Sequence, residues 1–244
     1  MKLKFIAFLI IAVFMCGTVY AEAKNSITVD FGPVLVAGFI GSLLSSAADE
    51  IDGMEASSFG IGLQYEREII ERLTVAGRYA YLGFGMGMKF VFEDIIAFVG
   101  YDISSYSIEA HARRYPFREG VFFIDGMLGY ANMSVGVKGD VIISEVDGTR
   151  LRVSLTENFS QSYFKYGAKI GWRRQLGSRG GFTYETAFGV SRGSRFGESI
   201  GQQMVKKVGG TAEDADYYDE DYNILANSWL VGGPRLTMSM GWSF

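Results

Sequence analysis

The chain ends on a strict alternation. Leu236, Met238, Met240, Trp242 and Phe244 are separated one by one by Thr237, Ser239, Gly241 and Ser243. Successive side chains of an extended strand point to opposite faces, so this period of two makes one face continuously apolar and leaves the other small and polar. A strand whose outer face meets lipid fits the pattern, and so does the edge strand of a soluble sandwich.

The amino terminus narrows the choice. Lys2 and Lys4 precede an apolar run from Phe5 to Met15, and Val19-Tyr20-Ala21 has the small-x-small form of a cleavage site. A signal peptide over residues 1–21 and a barrel domain over 22–244 are expected. The run is about 11 residues, well short of the roughly 20 that a spanning helix needs. Cys16 follows Met15 rather than a small residue, which argues against lipidation. The single cysteine then leaves with the leader, so no disulfide or thiolate metal site remains.

Removing the leader leaves 21 Lys and Arg against 27 Asp and Glu, a formal charge of −6. No run of basic residues exceeds a pair, which excludes nucleic acid as a partner. Glycine at 32, proline at 3 and 15% aromatics suit many long strands and little helix.

Following the period of two yields eight strands. Their outward sets begin with Ile27, Val29 and Phe31, then Phe59 to Tyr65, Leu73 to Tyr81, and Tyr106 to Ala112. Phe122 to Tyr130, Phe164 to Trp172, Phe182 to Val190 and the terminal strand complete them. Long connections at roughly 41–57, 86–101, 132–161 and 192–228 alternate with short ones at roughly 69–72, 116–120 and 174–181. That sorting is the habit of a transmembrane barrel with short periplasmic turns and long outer loops.

The opposite faces carry charge: Asp30, Glu66, Glu68, Glu109, Asp125 and Glu185 with Arg78, Arg113, Lys165, Lys169, Arg173 and Arg235. An eight-stranded barrel has room only for its own side chains, and charges removed from water must be paired. A lumen plugged by ion pairs is therefore expected, with Glu66, Arg78, Glu109, Arg113, Asp125, Lys165, Lys169 and Glu185 as its central set. Glu68, Arg173 and Asp30 are placed nearer the rims, in solvent. Outward aromatics such as Tyr65, Tyr79, Tyr106, Tyr130, Tyr166 and Trp172 would form interfacial girdles.

Together these features resemble the small bacterial outer-membrane barrels of the OmpA/OmpX/OmpW type. The segments Ala112-Arg113-Arg114-Tyr115-Pro116-Phe117 and Phe122 to Ala131 carry the closest wording. The resemblance implies an all-β, eight-stranded antiparallel transmembrane barrel in the bacterial outer membrane, in contact with its lipid. It also implies that Trp242 and Phe244 serve as the insertion signal read by the barrel-assembly machinery. A soluble barrel of lipocalin type is the rival at the level of fold, but exposed Phe, Tyr and Ile would make it prone to aggregate.

Two outer regions stand apart. Asp147-Gly148, flanked by residues 141–146 and 149–155, signals a protruding hairpin. A two-residue turn there conflicts with the outward parity of strands five and six, so a bulge at Gly136 or Gly139 is expected. Such a hairpin offers a sheet edge to a host surface molecule, an adhesin-like role. Phe84, Met86, Met88, Phe90 and Phe92 either lengthen strand three as a small core or line a site for small hydrophobic molecules, as in the OmpW branch.

Catalysis has no foothold, since the single histidine, His111, sits inside strand four. The acidic run from Glu213 to Asp221 lacks the spacing of a calcium loop. No metal or cofactor is expected. The reading that results is a non-enzymatic barrel with structural or surface-interaction duties, with a hydrophobic-ligand conduit and an adhesin as alternatives.

Overall fold

The computed structural model describes residues 25–244 apart from 93–94, 118–120, 145–149, 177–179 and 226–230. The leader and the Asp147-Gly148 turn lie outside the described residues. Among those described, eight antiparallel strands close into a barrel in sequence order. They are β1 (Asn25–Asp30), β2 (Met54–Ile70), β3 (Leu73–Phe92), β4 (Ile95–Arg114), β5 (Phe122–Ser144), β6 (Arg150–Leu176), β7 (Gly181–Phe196) and β8 (Gly233–Ser243). Closure is by β1, which pairs with β2 on one side and β8 on the other.

In the lower barrel the alternation follows the sequence. Gln64, Glu66, Thr74, Arg78, Glu109, Arg113 and Asp125 are buried, while Leu63, Ile108, Leu128, Ile170 and Phe188 are exposed on the outer face. A closed sheet leaves no backbone edge unsatisfied, which is what hydrocarbon demands, and the outer apolar band supplies the contact with lipid. Its borders are aromatic. Tyr106 packs on Tyr130 at one level, and Phe122 packs on Trp172 and Phe117 at the other.

The expected loops at 86–101 and 132–161 are strand. β5 runs for 23 residues and β6 for 27, against the 9–11 or so needed to cross a membrane. No bulge interrupts them: Phe122 faces Trp172 at one end and Ser144 faces Arg150 at the other, without a skipped residue. The expectation of a bulge at Gly136 or Gly139 fails because every pair from Phe122 with Trp172 to Ser144 with Arg150 keeps one register, so the outward parity of the two strands already agrees.

Three helices among the described residues replace the rest of the expected loops: α1 (Gly32–Glu50), α2 (Ile200–Val208) and α3 (Ala212–Leu225). α2 opens on a capping box between Ser199 and Gln202, ends with Lys206 and Lys207 and stops at Gly209, which is a complete set of helix signals. α1 fills a gap in the wall. Above Asp30, β2 pairs only with β3 and β8 only with β7. Phe31 N donates to Met238 O at 2.6 Å as the chain leaves the sheet. The helix then lies against β2 so closely that a Cβ on Gly60 would sit 2.2 Å from Pro33 O, and one on Gly41 2.2 Å from Ser58 Oγ.

Candidate functional site

The lumen is filled by side chains in two tiers. In the lower tier Arg113 is fully buried. It donates from Nε to Asp125 at 2.7 Å, from Nη1 to Glu66 at 2.7 Å and from both Nη atoms to Glu185 at 2.6 and 2.8 Å. Its guanidinium stacks 4.6 Å above the centre of the Phe123 ring. Lys169 stands 3.4 Å from Asp125 and 3.8 Å from Glu185, and Arg173 reaches Glu66 at 2.5 Å. The planar fork of Arg113 suits this crowd of carboxylates in a way a single ammonium would not.

In the upper tier Arg78 bonds Asp30 through Nε at 2.8 Å and Glu109 through Nη1 at 2.8 Å. Lys165 and Arg235 also converge on Glu109, at 3.0 and 3.1 Å. His111 links the tiers, with Nδ1 at 3.0 Å from Asp125 and Nε2 at 3.2 Å from Glu109. All eight residues of the central set therefore meet in one connected cluster. Asp30 and Arg173, expected in solvent at the rims, belong to it as well, because each has a buried partner of opposite charge. Glu68 stays outside, accepting from Arg72 N at 3.3 Å. At the end away from the extension Tyr115, Phe123 and Ala187 form a small buried apolar cluster.

Above the Tyr106–Tyr130 level the two faces exchange chemistry. Phe84, Met86, Met88, Phe90 and Phe92 follow Leu82 on the inner face of β3 by strict alternation. The registers bring Ile95, Val99, Ile103, Val137, Leu155 and Phe159 to the same concave side. The outer side carries the ion pairs: Lys138 with Asp102, and Arg152 with Asp140 at 2.9 Å, with Ser154 donating to Asp140 at 2.8 Å. These bonds hold the Asp140 carboxyl below its ordinary value, Arg152 contributing first and Ser154 second.

Between charged lumen and apolar concavity lies a packed layer of Ala37, Leu82, Met133, Val135, Phe159, Tyr163, Ile200 and Val231, with Val36 and Met204 against it. Three members of this layer were missed in the sequence, since Ala37, Ile200 and Val231 arrive on helices and a connection. The capping box at Ser199 was the signal available for Ile200. α2 also guards the sheet edge: Gln203 Nε2 donates to Ser160 O at 2.6 Å, and Ser160 N donates back to Gln203 Oε1 at 3.2 Å. The acidic run of α3 is partly structural, with Asp219 accepting from Gly201 N and Arg195, each at 2.9 Å.

No protein-family model and no curated protein sequence matches the chain. Among solved structures it is similar to Ail, the attachment invasion locus protein of Yersinia pestis. The identity is 13% over 91% of this chain and 99% of that one, with a TM-score of 0.41. A second structure of Ail, in complex with the heparin analogue sucrose octasulfate, gives 12% over 91% and 99%, with a TM-score of 0.44. CarO2 of Acinetobacter baumannii gives 9% over 92% and 99%, with a TM-score of 0.39. At these identities no side chain is carried from one protein to another.

Proposed function

We propose that this protein is a non-enzymatic barrel of the bacterial outer membrane that captures small hydrophobic molecules on the apolar concave face of its outer extension. The inversion of polarity above the aromatic border carries this reading. Phe84, Met86, Met88 and Phe90 turn inward where a plain extension of the wall would keep polar groups toward trapped water, and flexible methionines adapt to ligands of varied shape. The ion-pair cluster below supports capture rather than passage, because a lumen filled by side chains leaves no route for a solute.

The test combines conductance and binding. In a planar bilayer the purified protein should show no steady single-channel current, and a hydrophobic fluorescent probe, N-phenylnaphthylamine, should bind saturably and be lost on Phe90→Asp. A stable open channel, or probe binding indifferent to Phe90→Asp, would overturn the reading. A second role has one observation in its favour: from Arg150 to Thr156, short of the Ser160 backbone that Gln203 caps, β6 pairs with β5 alone. That open edge suits addition of a strand from a surface partner, and deleting residues 141–155 would abolish saturable binding of such a partner to whole cells.

A further inference from the structure

A cavity of about 70 Å³ lies where the charged lumen meets the apolar layer. Arg78, Lys165 and Arg235 line its charged part, and Val36, Leu82 and Val231 its apolar part. The cations there are not balanced. Taken as formal charges among the described residues, Arg78, Lys165 and Arg235 face only Asp30 and Glu109, whereas in the lower tier Arg113, Lys169 and Arg173 meet Glu66, Asp125 and Glu185 one for one. The surplus positive charge therefore belongs to the tier that borders the cavity.

Ser191 adds a second, independent sign. It lines the same cavity, is 8% exposed, and its Oγ has no hydrogen-bond partner among the described residues. A buried hydroxyl without a partner costs roughly 1–3 kcal/mol, and a surplus charge in a low-dielectric site costs more unless an opposite charge joins it. An anionic acceptor in the cavity answers both. Its volume admits a few waters or a small polar group and excludes a chain, so any long apolar part must pass the apolar layer at Leu82, which lines the cavity and precedes Phe84 on the inner face of β3.

We infer that the ligand captured by the outer extension is a single-chain amphiphile with a carboxylate head, the head seated between Arg235, Lys165 and Ser191 and the tail along the face begun by Leu82 and Phe84. This rests on the proposed capture of hydrophobic molecules and narrows it to one chemical class. A carboxylate accepts from the Ser191 hydroxyl and from Arg235 at once, and it supplies the one negative charge the upper tier lacks.

The experiment compares dodecanoate with dodecanol, which share a tail and differ in the head, by equilibrium binding to the protein in lipid nanodiscs with empty nanodiscs subtracted. One charge-assisted hydrogen bond should favour dodecanoate by about tenfold or more. Arg235→Gln should bring dodecanoate to the dodecanol value and Ser191→Val should narrow the difference, with heat-dependent gel migration reporting that each variant is folded. Equal affinity of the two probes for the unaltered protein would overturn the carboxylate seat and leave capture of apolar molecules standing. A preference that survives both variants would also overturn the seat. Saturable binding of neither probe would overturn both readings.

Discussion

Asn25 and Phe244 exchange both backbone hydrogen bonds of a closing pair: Asn25 N donates to Phe244 O at 3.0 Å, and Phe244 N donates to Asn25 O at 2.9 Å. The first described residue and the last one thus seal the ring, while the Phe244 ring itself stands exposed outside it.

Backbone and side chain of Phe244 can be separated experimentally. Phe244→Ala keeps both closing bonds, so refolding in detergent should proceed as for the unaltered chain, while the folded fraction recovered from cell membranes should fall if the aromatic ring is the insertion signal. Deleting Phe244 removes both bonds, each worth about 1 kcal/mol net, and should lower the temperature of the gel shift in detergent as well. Equal recovery of Phe244→Ala from cells would remove the ring from the insertion signal.

Arg113 is the residue on which the lower tier depends. Arg113→Ala leaves Glu66, Asp125 and Glu185 without their shared cation, and breaking buried pairs from one side costs about 3–5 kcal/mol. Arg113→Lys should recover only part of this, because an ammonium cannot span three carboxylates. Chemical unfolding followed by tryptophan fluorescence measures both, and near-equal stability of all three proteins would contradict the assignment.

The uninterrupted register of β5 and β6 makes a prediction about cross-linking. A Cys pair at Ile142 and Arg152, which face each other, should oxidise to a disulfide, whereas Ile142 with Val153 should not, since the second side chain points to the opposite face. A bulge near Gly136 or Gly139 would reverse that result.

Acid should loosen the outer hairpin. The folded-state Asp140 carboxyl titrates below its ordinary value, chiefly through Arg152 and then Ser154. The stabilisation it gives is present above the unfolded value of about 3.9 and is lost as pH falls through the lower folded one. Amide hydrogen exchange at Gly139 and Leu155, scaled for its intrinsic pH dependence, should speed up in that window, and Asp140→Asn should remove the change. The same exchange rates with and without Asp140 would rule the pair out as a brace.

The lower barrel was legible in the sequence because lipid outside and charge inside stamp opposite chemistry on alternate residues. Tyr79 and Tyr81 point out while Arg78 and Ala80 point in, and no tertiary information was needed to see it. The extension was not legible for a related reason. From Leu82 onward the apolar residues of β3 fall on even positions, and such a change of phase reads as a loop or a bulge when every strand is assumed to be apolar on its outside. In the folded chain the backbone keeps its phase and the environment changes instead. The charged cluster could be named residue by residue, but its partition into tiers depends on which carboxylate each arginine reaches across the barrel. α1 escaped notice because Gly41 marks it only through close contact with Ser58 of β2.

The inversion has a consequence for how such a chain can change length. Removing or adding one residue in β5 between Asn132 and Lys138 would rotate every side chain beyond it to the other face, carrying Lys138 and Asp140 into the concavity and their apolar neighbours out into water. Two residues at a time preserve the arrangement and lengthen or shorten the shell by one pleat repeat. The outer extension is thus written in dipeptide steps, and its depth can be retuned for a longer or shorter guest without rewriting either surface.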